Sequence, residues 1–226
     1  MKHYFKAVAA TLLCTGLIWM GGCTGISKEP ELQAGTKASA EVENTYQRGL
    51  DYKQGRNGSE RSNAKAAQWL KRAADSGHAD AQYQLAELYR GGLSGQDDSS
   101  AAEKYFTLAA MQEHAEAQMA LAELYRGRDS EMYVYWMQRS AELGNAQAQL
   151  LLAHAYGRGE IVTPPQYATA FYWYNKAAFN GNENAAYWLG LSYLKGEGLP
   201  VNRELAKYWF NQSSDPRAAK ELAKLR

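Results

Sequence analysis

The feature that most constrains this chain is a seven-residue segment that occurs twice without change. Residues 85–91 and 121–127 both read LAELYRG, and weaker copies end at Tyr156 and Tyr193. An aromatic residue recurs in the same register, at spacings of 36, 31, 37 and 36 residues. These aromatics are Trp69, Tyr105, Trp136, Trp173 and Trp209. Self-similarity at a period of this length predicts a repeat architecture.

Each unit of the repeat predicts two helices. In the second helix of the first unit, Ala81, Leu85 and Tyr89 lie four residues apart on one helical stripe. Glycine separates the two helices in most units, where a left-handed residue would end the first helix, and Glu113 takes that place in the second unit. A lone helix pair cannot bury its apolar stripe, so neighbouring pairs must stack. The 37 alanines are therefore expected at the helix crossings, in an all-α chain.

The repeat resembles the Sel-like repeat (SLR) family, relatives of the tetratricopeptide solenoids. The resemblance rests on W-x3-AA-x2-G-x3-A in the first helix and turn, and on LG-x2-Y-x2-G-x-G in the second helix. In the fourth unit the matching residues are Trp173, Ala177, Ala178, Gly181 and Ala185, followed by Leu189, Gly190, Tyr193, Gly196 and Gly198. The resemblance implies a right-handed α-solenoid of about five stacked helix-turn-helix repeats of about 36 residues, over residues 41–226.

Both ends of the repeat array depart from the full unit. Tyr52 stands 37 residues before Tyr89, which predicts that residues 42–53 form a lone leading helix. Residues 213–226 form a shortened last hairpin with Pro216 near the start of its second helix, a position that proline favours. This hairpin is expected to act as a polar cap.

The N-terminal segment predicts an export signal. Two lysines precede a 14-residue apolar run over residues 7–20, which is too short to span a membrane. The segment Met20-Gly21-Gly22-Cys23 resembles the bacterial lipobox, and Thr24 rather than Asp follows the cysteine. The resemblance implies a signal peptide over residues 1–22, lipidation of Cys23 and sorting to the periplasmic face of the outer membrane. An ordinary signal peptide and a soluble periplasmic protein are the alternative. Residues 23–40 are expected to form the lipidated cysteine and a flexible tether.

Composition and motifs provide no case for an enzyme, a metal or a cofactor. Lys and Arg total 25 against 24 Asp and Glu, so the basic excess typical of a nucleic-acid-binding surface is absent. His78 and His114 occupy equivalent turn positions, which favours a structural role, and His154 stands alone. Glu87 and Glu123 recur once per repeat and predict no acid/base pair. We therefore expect no cofactor, no metal and no nucleic-acid partner.

The informative excess is aromatic and lies toward the C-terminus. The residue before each registered aromatic changes from polar to tyrosine, as Gln68, Lys104, Tyr135, Tyr172 and Tyr208. Consecutive aromatics cannot all face one buried stripe, because successive helical residues are about 100° apart. Partner-binding residues are therefore predicted at Tyr135, Tyr172 and Tyr208, together with Tyr133 and Tyr174. The alternative is that these rings fill space between repeats, and for Phe171 and Trp173 this alternative is favoured.

The SLR resemblance implies that the first helices line a concave groove. It points to a non-catalytic scaffold or adaptor of the bacterial cell envelope, which binds a partner protein in that groove. The alternative is a periplasmic immunity protein that inhibits a lipase effector of a type VI secretion system. A hydrolase is a weaker hypothesis, because the β-lactam-linked relatives carry a cysteine pair in each repeat and this chain does not.

Overall fold

The computed structural model describes residues 29–93, 98–161 and 163–225, with side chains from Ser39 onward. In these residues the regular structure is entirely helical. The helices are α1 (Glu29–Gln54), α2 (Asn63–Asp75), α3 (Ala79–Arg90), α4 (Ser99–Met111), α5 (Ala115–Tyr125), α6 (Ser130–Glu142), α7 (Ala146–Arg158), α8 (Tyr167–Phe179), α9 (Glu183–Lys195), α10 (Arg203–Asn211) and α11 (Pro216–Lys224). Residues 1–38 and 39–226 form two compact units, and the stacked helices α2–α11 belong to the second.

The ten helices after α1 form five helix pairs, which we number as repeats 1 to 5. The first helices of the pairs are α2, α4, α6, α8 and α10, and the second helices are α3, α5, α7, α9 and α11. Each of α3, α5, α7 and α9 packs both against the first helix of its own repeat and against the first helix of the next one. The result is the all-α solenoid that the sequence predicts.

The second helices of repeats 1 to 4 are enclosed along their middle, whereas the first helices keep a free face. From Ala185 to Leu194 in α9, every residue is buried or half-buried, and the same holds for residues 81–89, 117–125 and 148–157. The first helices expose side chains along their middle, such as Lys104, Tyr172 and Lys176. Any broad surface for another molecule in the middle of the repeats is therefore supplied mainly by the first helices.

Small residues set the distance between neighbouring helices. The core is rich in alanine, and the alanine pairs Ala73–Ala74 and Ala109–Ala110 are almost completely buried. A Cβ atom placed on Gly190 would lie 2.5 Å from the ring of Phe210, so α9 and α10 touch where this glycine stands. Backbones that approach so closely exclude larger side chains, which explains the high alanine content.

The turns within the repeats use left-handed residues as predicted. Gly77, Gly144 and Gly181 have φ angles of 91°, 96° and 86°. Glu113, which takes the glycine position in repeat 2, also adopts a positive φ, of 62°. A residue with a side chain is disfavoured there, so the stack of repeats imposes the turn even where the local sequence opposes it.

Both ends of the array largely follow the sequence predictions. The lone leading helix is present as α1, and Val42, Tyr46 and Tyr52 pack against the core of the first repeats. Pro216 opens α11, with Asp215 as its N-cap. The tether prediction is wrong from Glu29 onward, because α1 already begins there. The reason is compositional: the alanine, glutamate, lysine and glutamine of this segment are strong helix formers. Residues 24–28 of the tether lie outside the described residues, as do the signal peptide and Cys23.

A buried glutamine ties the two helices of repeats 1, 2 and 3 together. The side-chain amides of Gln82, Gln118 and Gln149 donate to the carbonyl oxygens of Ala74, Ala110 and Ala141 at 3.0, 3.0 and 2.8 Å. A residue of the following repeat then donates to the glutamine oxygen. Gln112 donates to Gln82 at 2.8 Å, and Asn180 donates to Gln149 at 2.9 Å.

The middle glutamine lacks this second bond. The Oε1 atom of Gln118 is buried without a hydrogen-bond partner. Gln112 and Asn180 are the C-cap residues of α4 and α8, and the C-cap residue of α6 is Leu143. A leucine therefore stands where the other repeats carry the amide donor, and its side chain is 43% exposed.

Replacing Leu143 with glutamine is expected to raise the free energy of unfolding by about 1 kcal/mol, because the new amide can donate to Gln118 Oε1. Equilibrium urea denaturation of the full chain measures the change. Leu143→Ala is the matched control, since it removes the exposed leucine and adds no donor. An equal gain from the alanine variant, or a gain that persists in a Gln118→Leu background, would contradict this assignment.

Candidate protein-interaction surface

Five side chains at equivalent positions form a row across the first helices, which we call the ladder row. It consists of Gln68, Lys104, Tyr135, Tyr172 and Tyr208, and all five are exposed. The three tyrosines have exposed fractions of 47%, 51% and 54%. About half of each ring thus faces outward in three successive repeats, which is what an interaction surface requires and what a space-filling residue would not show.

The three ladder tyrosines are held in the same way. Tyr135, Tyr172 and Tyr208 each contact the tryptophan that follows them, with ring centroids 4.9, 5.1 and 5.3 Å apart and interplanar angles of 76°, 76° and 79°. Edge-to-face contacts of this kind are favourable for aromatic pairs. The registered tryptophans therefore support the three tyrosine rings in the same way in repeats 3, 4 and 5.

The prediction that Tyr174 binds a partner is wrong, because this residue belongs to the core. Its side chain is 7% exposed, and its hydroxyl lies 2.9 Å from Nδ1 of His154. Tyr174 is two residues beyond Tyr172, about 200° around the helix, so it faces the neighbouring helices. Burial raises its pKa, since the phenolate form would lose its hydration.

Tyr133 is less exposed than the ladder tyrosines and less buried than Tyr174. It is half-buried and packs against the core cluster, and the Arg126 guanidinium lies 5.6 Å from its ring centre. A role for Tyr133 in binding stays a prediction. Phe171 and Trp173 are also half-buried and pack against the core, and Phe171 meets Tyr193 edge-on at 5.4 Å. Packing was the favoured interpretation for these two.

The histidines at the turns are structural, as predicted. Nδ1 of His78 accepts from the backbone N–H of Ala81 at 3.3 Å, and Nδ1 of His114 accepts from that of Ala117 at 3.2 Å. Each histidine thus caps the second helix of its hairpin, a role that asparagine has in the next two repeats. The sequence carries a signal for this capping role that the predictions above do not include, because Asn145 and Asn182, which are common N-cap residues, stand at the same repeat position.

The turn histidines also connect successive repeats. The ring of His78 stacks on Tyr46 at 4.4 Å, and that of His114 stacks on Tyr83 at 4.7 Å. The Nε2 atoms lie 2.9 and 3.2 Å from the carboxylates of Glu43 and Asp80. These contacts account for both ring nitrogens without a metal. Among the described residues, no group of three or more His, Cys, Asp or Glu side chains is arranged to hold a metal ion.

The recurrent glutamates form local ion pairs. Glu87 and Glu123 accept from Arg90 and Arg126, three residues further along their helices or turns, at 2.7 and 2.8 Å. A cleft of about 220 Å³ opens along the second helices of repeats 1 to 3 and is lined by both glutamates, Tyr83, Met119 and Gln147. None of the ladder tyrosines lines it. In the described part of the chain, no helix is long and apolar enough to cross a bilayer.

His154 lies in a cavity of about 150 Å³ between α7, α8 and α9, beside Trp188 and Tyr174. Its ring meets Trp188 edge-on at 4.6 Å. Burial, assisted by the positive charges of Arg158 and Arg217, lowers the pKa of His154 from 6.5 to about 4. The imidazole is therefore neutral near pH 7. Glu197 also lines this cavity, and the negative charge of Glu160 partly opposes the lowering of the His154 pKa.

The lowered pKa makes stability depend on pH. As the pH falls through 6.5, the unfolded chain binds a proton at His154 that the folded chain does not bind until about pH 4. The free energy of unfolding is then expected to drop by about 2 kcal/mol over this interval, less than the full shift would give, because water reaches part of the imidazole ring. In His154→Asn, which keeps an acceptor for the Tyr174 hydroxyl, this part of the loss should vanish. Urea denaturation of both proteins at about pH 7 and about pH 4.5 measures it. Equal pH dependence in the two proteins would contradict the assignment.

Comparison with known proteins agrees with this architecture. A protective antigen of uropathogenic Escherichia coli with an SLR fold matches 83% of this chain and 41% of its own, at 29% identity and a TM-score of 0.76. A Sel1 repeat protein from Oxalobacter formigenes matches 81% of this chain and 78% of its own, at 28% identity and a TM-score of 0.72. The immunity protein PA5088 from Pseudomonas aeruginosa matches 81% and 79%, at 17% identity and a TM-score of 0.52, a likeness of fold alone.

The curated relatives are much longer proteins. The chain spans 27% and 21% of the length of two of them, at 36% and 29% identity. The family model of the Sel1 repeat matches residues 46–78, 79–114, 115–145, 146–182 and 184–215. These five matches cover most of the chain. The first spans the end of α1 and α2, and each of the others spans the second helix of one repeat, as numbered above, and the first helix of the next. The chain therefore belongs to the Sel1 repeat family.

Proposed function

We propose that this protein is a non-catalytic interaction scaffold that binds a partner protein through the ladder row. The observation that carries the proposal is the repeated geometry of Tyr135, Tyr172 and Tyr208, half-exposed and held alike by the following tryptophan. Tyrosine is favoured at binding surfaces because it offers a large contact area and few rotatable bonds. Sel1 repeat proteins act as protein-interaction scaffolds, which supports the same reading.

Replacing Tyr135, Tyr172 and Tyr208 together by alanine is expected to abolish binding and to leave the protein folded. Each exposed ring contributes about 0.5–1.5 kcal/mol through its aromatic contact, whereas rings at the centre of an interface contribute more. Affinity capture from the native envelope, with quantitative mass spectrometry, compares the triple variant with wild type. Partner proteins enriched by wild type should fall at least about 10-fold.

The matched control replaces three other exposed apolar residues, Leu93, Tyr167 and Val201, whose exposed fractions are 53%, 43% and 59%. These substitutions should leave capture unchanged. Recovery of the same proteins by the ladder variant would overturn the proposal, and so would unfolding of that variant. The identity of the captured protein also distinguishes two roles. Capture of an envelope component indicates scaffolding, whereas capture of a type VI lipase effector indicates inhibition.

We further propose that the protein is anchored to the periplasmic face of the outer membrane through acyl chains on Cys23. The lipobox-like sequence before this cysteine supports the anchor. Several acyl chains give attachment that does not readily reverse. The folded repeats would then stand close to the membrane, where they could hold an envelope partner.

Cys23→Ser is expected to abolish incorporation of labelled palmitate and to release the protein from the membrane fraction. Cys14→Ser is the matched control, because Cys14 lies within the apolar run that would be removed. It should retain both label and membrane association. A Cys23→Ser protein that keeps its label, or a Cys14→Ser protein that loses it, would contradict the anchor.

A further inference from the structure

The ladder row has a neighbour on the same faces of the first helices. One helical turn after each ladder residue stand Arg72, Leu108, Arg139, Lys176 and Gln212, which we call the second row. All ten residues of the two rows are exposed. Residues four apart lie side by side on a helix surface, and every first helix carries such a pair at the same two positions. We call these paired exposed positions of the five repeats the strip.

This strip carries cations and no carboxylate. Its charged residues are Arg72, Lys104, Arg139 and Lys176, one in each of the first four repeats. The acidic residues of these helices lie outside the two rows. Glu103 directly precedes Lys104, but its carboxylate is engaged by Tyr125 and Arg128. Glu131 and Glu204 stand one turn before the ladder row, and Asp75 and Glu142 stand after the second row. A chain that crosses the helices along the strip would meet four positive charges and three tyrosines.

The position of the cations has a partial structural explanation. Positive charges are favoured in the last turns of helices by the helix dipole, and this applies to Arg72, Arg139 and Lys176. It does not apply to Lys104, which stands in the middle of α4. Nor does it explain why the ladder row, midway along the first helices, holds no acidic residue.

Most of these cations lie against rings, and Lys104 also acts electrostatically on the Asp75 carboxylate of the preceding repeat. Arg72 lies 4.8 Å from the ring centre of Trp69, Lys104 lies 5.5 Å from that of Tyr105, and Lys176 lies 5.7 Å from that of Tyr172. Arg139 is paired with Glu142 at 3.5 Å. Cation–π contacts orient a charged group without neutralising it. The strip thus offers positive charge and aromatic surface side by side.

We propose that the partner segment that binds the ladder row is an acidic polypeptide that lies across the first helices. Its carboxylates would pair with Lys104, Arg139 and Lys176, and its apolar side chains would contact Tyr135, Tyr172 and Tyr208. This inference rests on the proposed function and specifies the chemistry of the partner. Complementary charge would also favour rapid association and the correct partner.

The test uses a labelled random copolymer of glutamate and tyrosine as the probe, and the full chain in detergent. Fluorescence anisotropy at about 50 mM NaCl measures its binding, where charge screening is weak. The variant Arg139→Glu/Lys176→Glu should bind about 10-fold more weakly, because two attractions become repulsions. The matched control is Arg158→Glu/Lys195→Glu, which makes the same charge change at two exposed residues outside the strip. It should change binding less than about 2-fold.

Several outcomes would overturn the inference. These are equal weakening by the two double variants, equally tight binding of a lysine–tyrosine copolymer, and equally tight binding of anionic lipid vesicles or duplex DNA. Envelope capture separates this inference from the proposed function. Capture that is lost in the triple tyrosine variant and retained in Arg139→Glu/Lys176→Glu refutes only the acidic partner. Capture that survives in the tyrosine variant refutes the ladder row itself.

Discussion

The structure depends on one packing constraint: each second helix of repeats 1 to 4 is enclosed by the first helices of its own repeat and of the next. The apolar stripe of a second helix, such as the one that contains Leu85 and Leu88, is too wide for a single partner, and both residues are almost fully buried. Alanine at the crossings brings the helices close enough to exclude water. The same enclosure leaves the outward faces of the first helices free, so the requirements of folding and binding fall on different helices.

This division explains which aromatic residues serve which purpose. In repeats 3 to 5 the registered tryptophan packs in or against the core, as Trp136 does at 4% exposure, and contacts the tyrosine before it edge-on. The registered tryptophan thus both stabilises the fold and supports the exposed tyrosine that precedes it. Alteration of a registered tryptophan would change both properties at once, whereas a ladder tyrosine can be changed with little effect on the core.

The repeat pattern predicted most of the fold because the units carry similar residue types at the same turn and packing positions. Turn glycines, the lone leading helix and the Pro216 start were all readable from residue types at fixed offsets. The sequence could not separate Tyr172 from Tyr174, because both belong to one run of four aromatics and only the neighbouring helices decide which is buried. The unpartnered oxygen of Gln118 was also hidden, since its missing donor belongs to the following repeat. The segment that starts at Glu29 contains few bulky apolar residues, and for that reason a tether was predicted there. Its alanine, glutamate, lysine and glutamine residues nevertheless favour a helix.

The central claim is that the exposed faces of the first helices, rather than the second helices, meet the partner. Site-specific photocrosslinking in the native envelope tests it most directly, with a photoreactive phenylalanine analogue in place of Tyr135, Tyr172 or Tyr208. The exposed second-helix residues Gln147 and Asn184 serve as comparison sites. The account predicts one common crosslinked protein from all three ladder positions and none from the comparison sites. A common product from Gln147 and Asn184, with none from the ladder positions, would contradict it.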